Sequence, residues 1–195
     1  ERAGFKNRNI DLMSALPGQT IESYEETLSK VLALEPEHIS AYSLILEEGT
    51  VFYDWYEKGK LDRGSWKLPS EEEEYAMGEL TIQRLAEAGM HRYEISNYAK
   101  QGQQSQHNIV YWQYHPYLGF GAAACGFDGG ARRTAAESVQ EYMEQAGQLT
   151  PENWRMSSVY TVEELDASLQ LEEFMFMGLR RSAGAQLAEE HYPYI

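Results

Sequence analysis

The chain begins with two short apolar runs separated by an amphipathic stretch of helical length, and this order limits the folds open to it. The first run is 9–13, followed by a Pro-Gly turn at 17–18, and the second run is 39–46. Thr20 is a suitable helix N-cap and Pro36 ends the helix. Between them, apolar residues recur at helical spacing, namely Ile21, Tyr24, Leu28, Val31 and Leu32. The order strand–helix–strand predicts a parallel sheet, because parallel strands need a crossover connection.

Beyond the second run, the sequence predicts further helices and one more strand. A short helix is expected at 52–58. Ser70 followed by Glu73 is the capping-box pattern, and it predicts a helix that ends at Gly89. The alternation of residues 92–98 then predicts another strand.

The rest of the chain is expected to begin as an aromatic loop and to continue as helices. Residues 99–135 read as loop-like, and 137–146 as a helix. Thr161 and Glu164 fit a second capping box. The apolar positions that follow predict one face of a long helix, made of Val162, Leu165, Leu169, Phe176 and Leu179.

Charge and cysteine content exclude several classes of protein. The chain has 16 Lys and Arg against 31 Asp and Glu, a formal charge of −15, which argues against binding to nucleic acid or to anionic lipid. The single cysteine, Cys125, excludes an internal disulfide, a structural zinc cluster and a self-contained iron–sulfur site. This cysteine usage fits a reducing, cytoplasmic setting. No apolar stretch has the length of a membrane-spanning helix.

Asp11 is the first candidate site residue. It lies in the first predicted strand, and open sheets and barrels place ligand-binding groups at the carboxyl ends of parallel strands. A carboxylate there can accept hydrogen bonds from ribose hydroxyls. The alternative is that Asp11 only caps the following turn.

The second candidate site is the aromatic stretch 95–136. It contains one acid, Asp128, against three cations and two histidines, His107 and His115. Its aromatic residues are Tyr98, Tyr111, Trp112, Tyr114, Tyr117, Phe120 and Phe127. Aromatic walls, cations and an imidazole suit a flat apolar ligand with anionic edges, such as haem. The alternative is that the aromatics form core and that His107 is a structural histidine.

Several segments, in this order, resemble the oxygen-independent coproporphyrinogen III oxidases, which are radical S-adenosylmethionine (SAM) proteins. They are Asp11-Leu12-Met13, Leu16-Pro17-Gly18-Gln19-Thr20, His38-Ile39-Ser40-Ala41-Tyr42-Ser43-Leu44 and Tyr93-Glu94-Ile95-Ser96-Asn97-Tyr98-Ala99. The segment 107–112 is similar to the HNxxYW motif of the haem-chaperone branch of that family. Residues 117–121 and 171–180 continue the similarity.

The resemblance implies roles for individual residues. Asp11 matches an aspartate that contacts SAM, and Ala41 and Tyr42 are expected near that site. The motif residues His107, Asn108, Tyr111 and Trp112 match a segment associated with haem, with His107 as the expected iron ligand. The implied cofactors of the parent are SAM and a [4Fe–4S] cluster. The implied partners are haem, a haemoprotein acceptor and a second copy in a homodimer, with no nucleic acid.

The resemblance also implies a fold and a division into domains. The expected fold class is α/β, the C-terminal part of a partial (β/α)6 TIM-like radical SAM barrel followed by the start of a helical C-terminal domain. The first domain is expected at 1–135 and the second at 136–195. We expect the chain to be a C-terminal fragment of a longer protein.

The chain departs from the family pattern at several points. The cluster-binding CxxxCxxC is absent from this sequence, so the fragment alone is predicted to be inactive. Ala15 stands where the family usually has Gly, and Cys125 stands where it commonly has His.

Three functions remain open at this point. The favoured one is part of a haem chaperone that delivers haem to acceptor haemoproteins, because of the HNxxYW motif. The alternatives are oxidative decarboxylation of coproporphyrinogen III and a non-catalytic scaffold or partner-binding module.

Overall fold

The computed structural model describes residues 4–62, 64–150, 152–153 and 160–187. The chain divides into two compact units, 1–104 and 105–195. Within the described residues, the first unit contains four strands and three α-helices. Their order is β1 (Asn9–Ser14), α1 (Ile21–Leu32), β2 (His38–Ser43), α2 (Val51–Glu57), a 3-10 turn (Gly64–Trp66), α3 (Glu71–Glu87), β3 (His91–Arg92) and β4 (Asn97–Ala99).

The predicted strand–helix–strand start is confirmed. β1 and β2 are parallel and in register from Asn9 opposite His38 to Ser14 opposite Ser43, with α1 as the crossover. β4 joins the other side of β2 in the antiparallel sense, which gives the sheet order β1-β2-β4-β3.

The single strand predicted at 92–98 is wrong. β3 and β4 are two short antiparallel strands, and the chain reverses between them. The Tyr93 amide donates to the Asn97 carbonyl oxygen at 3.1 Å, which closes this tight turn. Alternation along a sequence does not reveal such a reversal, because both halves keep the same period.

The core of the first unit lies between one face of its sheet and the helices α1 and α3. It is made of Leu12, Tyr24, Leu28, Ile39, Met77, Leu85, Met90 and Tyr98. The capping residues explain where these helices begin. The N-cap Thr20 and the capping box of Ser70 with Glu73 are as the sequence predicts, and Ser23 completes a second capping box with Thr20.

The turn after β1 has a tight backbone. Ala15 adopts φ +58° and Gly18 adopts φ +77°, both in the left-handed region. The Gly18 amide donates to the Lys67 carbonyl oxygen at 2.8 Å, and a Cβ on Gly18 would overlap the Ser65 carbonyl. Glycine is therefore required at position 18. Ala15 accepts a conformation that would suit the glycine usual in the family.

The described residues of the second unit form a three-stranded antiparallel sheet and three helices. Its elements are α4 (Gln106–Trp112), β5 (Cys125–Phe127), β6 (Ala131–Ala135), α5 (Val139–Ala146), β7 (Tyr160–Glu164) and α6 (Ala167–Gly178), with the sheet order β5-β6-β7. The expectation that 99–135 is loop-like is therefore wrong. This stretch contains α4, β5 and β6, and it begins with the last residue of β4.

The second predicted capping box is also wrong. Thr161 and Glu164 lie in strand β7, and α6 begins after Asp166, whose side chain accepts the Leu169 amide at 2.9 Å. The physical reason is pairing with β6, which runs from Ala131 opposite Glu164 to Ala135 opposite Tyr160.

The domain boundary expected at residue 135 stays a prediction about the longer protein, and it differs from the division after residue 104. Within the ranges that the structure describes, no helix combines the length and the apolarity needed to cross a bilayer.

Candidate functional site

The sheet of the first unit has one apolar and one polar face. Alternate residues of β1 and β2, such as Leu12 and Ile39, belong to the core, and Ala41 packs against it. The intervening positions carry Asn9 and Asp11 on β1 and the residues paired with them on β2, His38 and Ser40. Asp11 therefore lies on a face of the sheet that carries polar side chains on both strands.

A chain of hydrogen bonds crosses this polar face. The side-chain amide of Asn9 donates from Nδ2 to Oδ1 of Asp11 at 2.6 Å, and its Oδ1 lies 2.6 Å from Nδ1 of His38. Nε2 of His38 lies 2.8 Å from the hydroxyl of Tyr93. The Ser40 hydroxyl also donates to Asn9 Oδ1, at 3.3 Å. Four side chains are thus connected in series, and Asp11 is the exposed end.

The inner part of this face is buried. His38, Glu94 and Asn97 are 5%, 3% and 4% exposed. The side chain of Asn97 donates to the Glu94 carboxylate, and no partner for its Oδ1 occurs among the described residues. Burial lowers the pKa of His38, which the nearby Glu94 and Asp11 oppose. His38 is consequently favoured in its neutral form.

Ala41 and Tyr42 lie on opposite faces. Tyr42 is exposed and paired with Met13, on the face of Asp11, whereas Ala41 packs against the core and its amide donates to the Ser96 carbonyl oxygen at 2.8 Å. The expected roles of both residues near a nucleoside stay predictions.

In the second unit, the HNxxYW segment forms the helix α4. Ser105 caps it by accepting the Asn108 amide at 3.3 Å. His107 and Tyr111 are one turn apart, so they share a face of the helix, and their rings meet edge-on with centroids 4.9 Å apart. The Tyr111 ring meets Tyr117 at 4.5 Å, and the His107 side chain is exposed.

Trp112 belongs to a different contact. The guanidinium carbon of Arg180, just beyond α6, lies 4.9 Å from the centroid of the Trp112 ring and 5.1 Å from that of Phe176. The Trp112 indole nitrogen is buried with no acceptor among the described residues. The motif therefore combines an exposed imidazole with a tryptophan that contacts Arg180 just beyond α6.

The other aromatic residues of the stretch are divided between packing and a cavity. The Tyr114 and Phe127 rings pack at 4.6 Å, and the Tyr114 hydroxyl donates to Glu173 at 3.0 Å. Burial raises the pKa of Tyr114. A cavity of 260 Å³ is lined by rings that include Tyr117 and Phe127 and by Arg133, which pairs with Asp128 at 3.0 Å. Tyr114 thus packs against Phe127 and is partly buried.

Sequence reasoning left His38, Tyr93 and Arg180 without a role. The first two form part of the polar chain. The sequence shows polar residues two positions apart in both β1 and β2, but it does not show that His38 contacts Asn9 or Tyr93. Arg180 had no comparable signal, because only the packing of α6 brings it to Trp112.

The donor sets fit some of the implied groups and not others. No cluster of three metal-ligating side chains occurs in the part of the chain that the structure describes. One cysteine cannot supply the thiolates of a [4Fe–4S] cluster, so these residues do not fit that group. Haem needs only one or two axial ligands, which an exposed histidine can supply. A carboxylate such as Asp11 fits the two hydroxyls of a ribose.

Several known proteins are similar to this chain, although no protein-family model matches it. It is 42% identical over 184 residues to the heme chaperone HemW of Bacillus subtilis and 40% identical over 184 residues to that of Lactococcus lactis. These alignments cover 93% and 94% of the chain and 45% of each relative.

The mitochondrial radical S-adenosyl methionine domain-containing protein 1 of Danio rerio is 33% identical over 189 residues, which is 94% of the chain and 40% of that protein. The solved structure of coproporphyrinogen III oxidase (HemN) from Escherichia coli, a radical SAM enzyme, matches with a TM-score of 0.67 and 18% identity. This match covers 92% of the chain and 42% of that structure, and it shows the fold.

The chain thus spans less than half the length of these relatives. Over the matched residues, its sequence identity to them reaches 42%. The sequence motifs, the mixed α/β fold and these relatives agree: nearly the whole chain is similar to part of the haem chaperone HemW.

Proposed function

We propose that this chain is the haem-binding part of a protein that binds haem and delivers it to acceptor haemoproteins. The observation that carries the proposal is the placement of the HNxxYW segment on one short helix with the His107 imidazole exposed. The names of the relatives from Bacillus and Lactococcus support the same function.

His107 is the proposed axial ligand of the haem iron. Tyr111 holds one side of its ring by the edge-on contact at 4.9 Å, which leaves the imidazole few orientations. Asn108 and Trp112 are one turn apart on the neighbouring face, where Arg180 fixes the indole. A ligand on an exposed helix suits a carrier, because the cargo must leave again for its acceptor.

The first unit is the proposed contact for SAM. We place Asp11 against the ribose hydroxyls, with Tyr42 on the same face of the sheet and Ala41 adjacent in sequence. In the longer protein, SAM and a [4Fe–4S] cluster would supply radical chemistry. No step through the cluster is assigned to these residues, since the chain has one cysteine.

The finer points of the architecture are part of the same proposal. We take β1, α1, β2 and α2 as the last units of a partial (β/α)6 barrel, supported by the parallel pairing of β1 with β2 and by the fold match. Domains at 1–135 and 136–195, a homodimer of the parent and a reducing, cytoplasmic setting remain expectations from the sequence.

A hemin titration tests the function. Wild-type protein, His107→Ala and His115→Ala are each titrated and followed by visible absorption. We expect a saturable Soret shift that His107→Ala weakens by about tenfold or more. His115→Ala is the matched control, because this exposed histidine lies outside the motif.

The outcomes separate the candidate functions. Equal losses in both variants would remove His107 as the ligand. No hemin binding by the wild-type protein would refute the chaperone function and leave oxidase and scaffold, of which only the scaffold also predicts no SAM binding. Far-UV circular dichroism checks that the variants keep their helices. We expect no loss of helix, because the side chains of His107 and His115 are exposed.

A further inference from the structure

The carboxylate of Asp11 is exposed, but its side chain is hydrogen-bonded. Asn9, two residues earlier on the same strand and the same face, donates to its Oδ1 at 2.6 Å. A distance this short is typical of a bond to a charged acceptor. The orientation of the carboxylate therefore depends on what holds Asn9.

The direction of each bond in the series follows from Asn9. The amide nitrogen must face Asp11, because the reversed amide would place two oxygen acceptors 2.6 Å apart. The amide oxygen then faces His38 and can only accept, so Nδ1 of His38 carries the proton. In the neutral ring, Nε2 is left to accept from the Tyr93 hydroxyl at 2.8 Å.

The register of the sheet makes this arrangement rigid. Asn9 and His38 are direct neighbours across the parallel pair, and so are Asp11 and Ser40. His38 is nearly enclosed at 5% exposure, and the Ser40 hydroxyl gives Asn9 Oδ1 a second donor. Two donors hold the amide oxygen, so the amide nitrogen is fixed on the carboxylate.

We propose that His38, acting through Asn9, is a positioning residue that holds the Asp11 carboxylate in the orientation that accepts the hydroxyls of a ribose. The proposal rests on the SAM contact proposed above for Asp11. His38 is buried and would not contact the ligand itself. Its role would be to keep the Asp11 carboxylate in one orientation, because a carboxylate that is already ordered binds two adjacent hydroxyls at a lower entropic cost.

The first test measures the dissociation constant for SAM in the full-length protein that contains this chain. His38→Leu should weaken binding by about tenfold, because Asn9 loses the Nδ1 donor that fixes its hydrogen bond to the charged Asp11 carboxylate. His38→Asn should stay within about threefold of the wild type, because its amide nitrogen can replace the Nδ1 donor. His91→Leu is the control, since His91 is an exposed histidine of β3.

A double-mutant cycle shows whether His38 acts through Asp11. In an Asp11→Asn background, His38→Leu should cause no further loss of SAM affinity. Additive losses, or a His38→Leu variant that binds SAM as tightly as the wild type, overturn the proposal.

The second test needs no variant and no ligand. Long-range ¹H–¹⁵N correlation spectra of the wild-type protein report which ring nitrogen of His38 is protonated. We expect the Nδ1–H tautomer, and the Nε2–H tautomer overturns the proposal.

These tests are separable from the function itself. A wild-type protein that binds hemin but no SAM overturns the SAM contact and this proposal, while the haem function stands. A protein that binds SAM with equal affinity before and after His38→Leu overturns only the positioning role.

Discussion

The buried hydrogen bond between α1 and α3 gives a prediction in which two similar deletions have different costs. The Tyr24 hydroxyl lies 2.8 Å from Oγ1 of Thr81, at 1% and 3% exposure. Thr81 gives its own proton to the Met77 carbonyl oxygen at 2.8 Å, so the tyrosine must be the donor to the threonine. Burial raises the pKa of Tyr24, which keeps the hydroxyl protonated.

The asymmetry sets the magnitudes. Tyr24→Phe removes a donor and leaves no buried N–H or O–H without an acceptor, which should cost about 1 kcal/mol of the free energy of unfolding. Thr81→Val removes the acceptor and leaves the tyrosine hydroxyl buried and unpaired, which should cost about 2–3 kcal/mol. The double variant should be about 1 kcal/mol more stable than the sum of the two losses predicts.

Urea denaturation of the three variants measures these free energies, and amide hydrogen exchange in α1 and α3 confirms that the change lies there. Tyr75→Phe is the control, because Tyr75 is a tyrosine of α3 at 70% exposure. Equal costs for Tyr24→Phe and Thr81→Val would refute the reasoning from donor and acceptor.

Two further predictions concern the end of α1 and the segment before β1. Glu35 is exposed and adopts φ +52°, a conformation that glycine adopts without strain. Glu35→Gly should therefore raise the free energy of unfolding by about 0.5 kcal/mol, after subtraction of the extra flexibility that glycine gives the unfolded chain. The urea midpoint should rise, and a lower midpoint contradicts the prediction. The hydrogen bond from Arg8 lowers the pKa of Glu37 from 4.5 to about 2. The stability from this pair should be complete above pH 4.5 and lost as the pH falls towards 2, and urea unfolding across that range should show a weaker pH dependence for Arg8→Gln.

The parts of the fold that the sequence predicts are those decided by local signals. The β1–α1–β2 unit follows from helical spacing, a Pro-Gly turn and capping residues, all of which lie between the start of β1 and the start of β2. The sequence does not reveal the β3–β4 reversal because both short strands keep the same period, and it does not reveal strand β7 because β7 depends on its partner β6. The Thr-x-x-Glu pattern at 161–164 is compatible with either a capping box or a strand. The hydrogen bonds with β6 stabilise the strand.

The candidate site divides in the same way. Asp11 could be proposed from its place on the first strand, and the exposed helix of His107 agrees with the motif. His38 could not be assigned, because its partners Asn9 and Tyr93 are 29 and 55 residues away along the chain. The contact between His38 and Asn9 exists because the parallel register of β1 and β2 places these two residues side by side.

The two faces of the sheet in the first unit have a consequence for how sequence change is tolerated. Along β1 and β2, side chains point alternately to the core face and to the polar face. Substitutions at neighbouring positions should therefore affect different properties of the protein. In a library of all single substitutions, expression level should therefore dip at Leu12 and Ile39. Ligand binding at normal expression should dip at Asn9 and Asp11. The two measurements would alternate residue by residue, and so trace the pleat of the sheet.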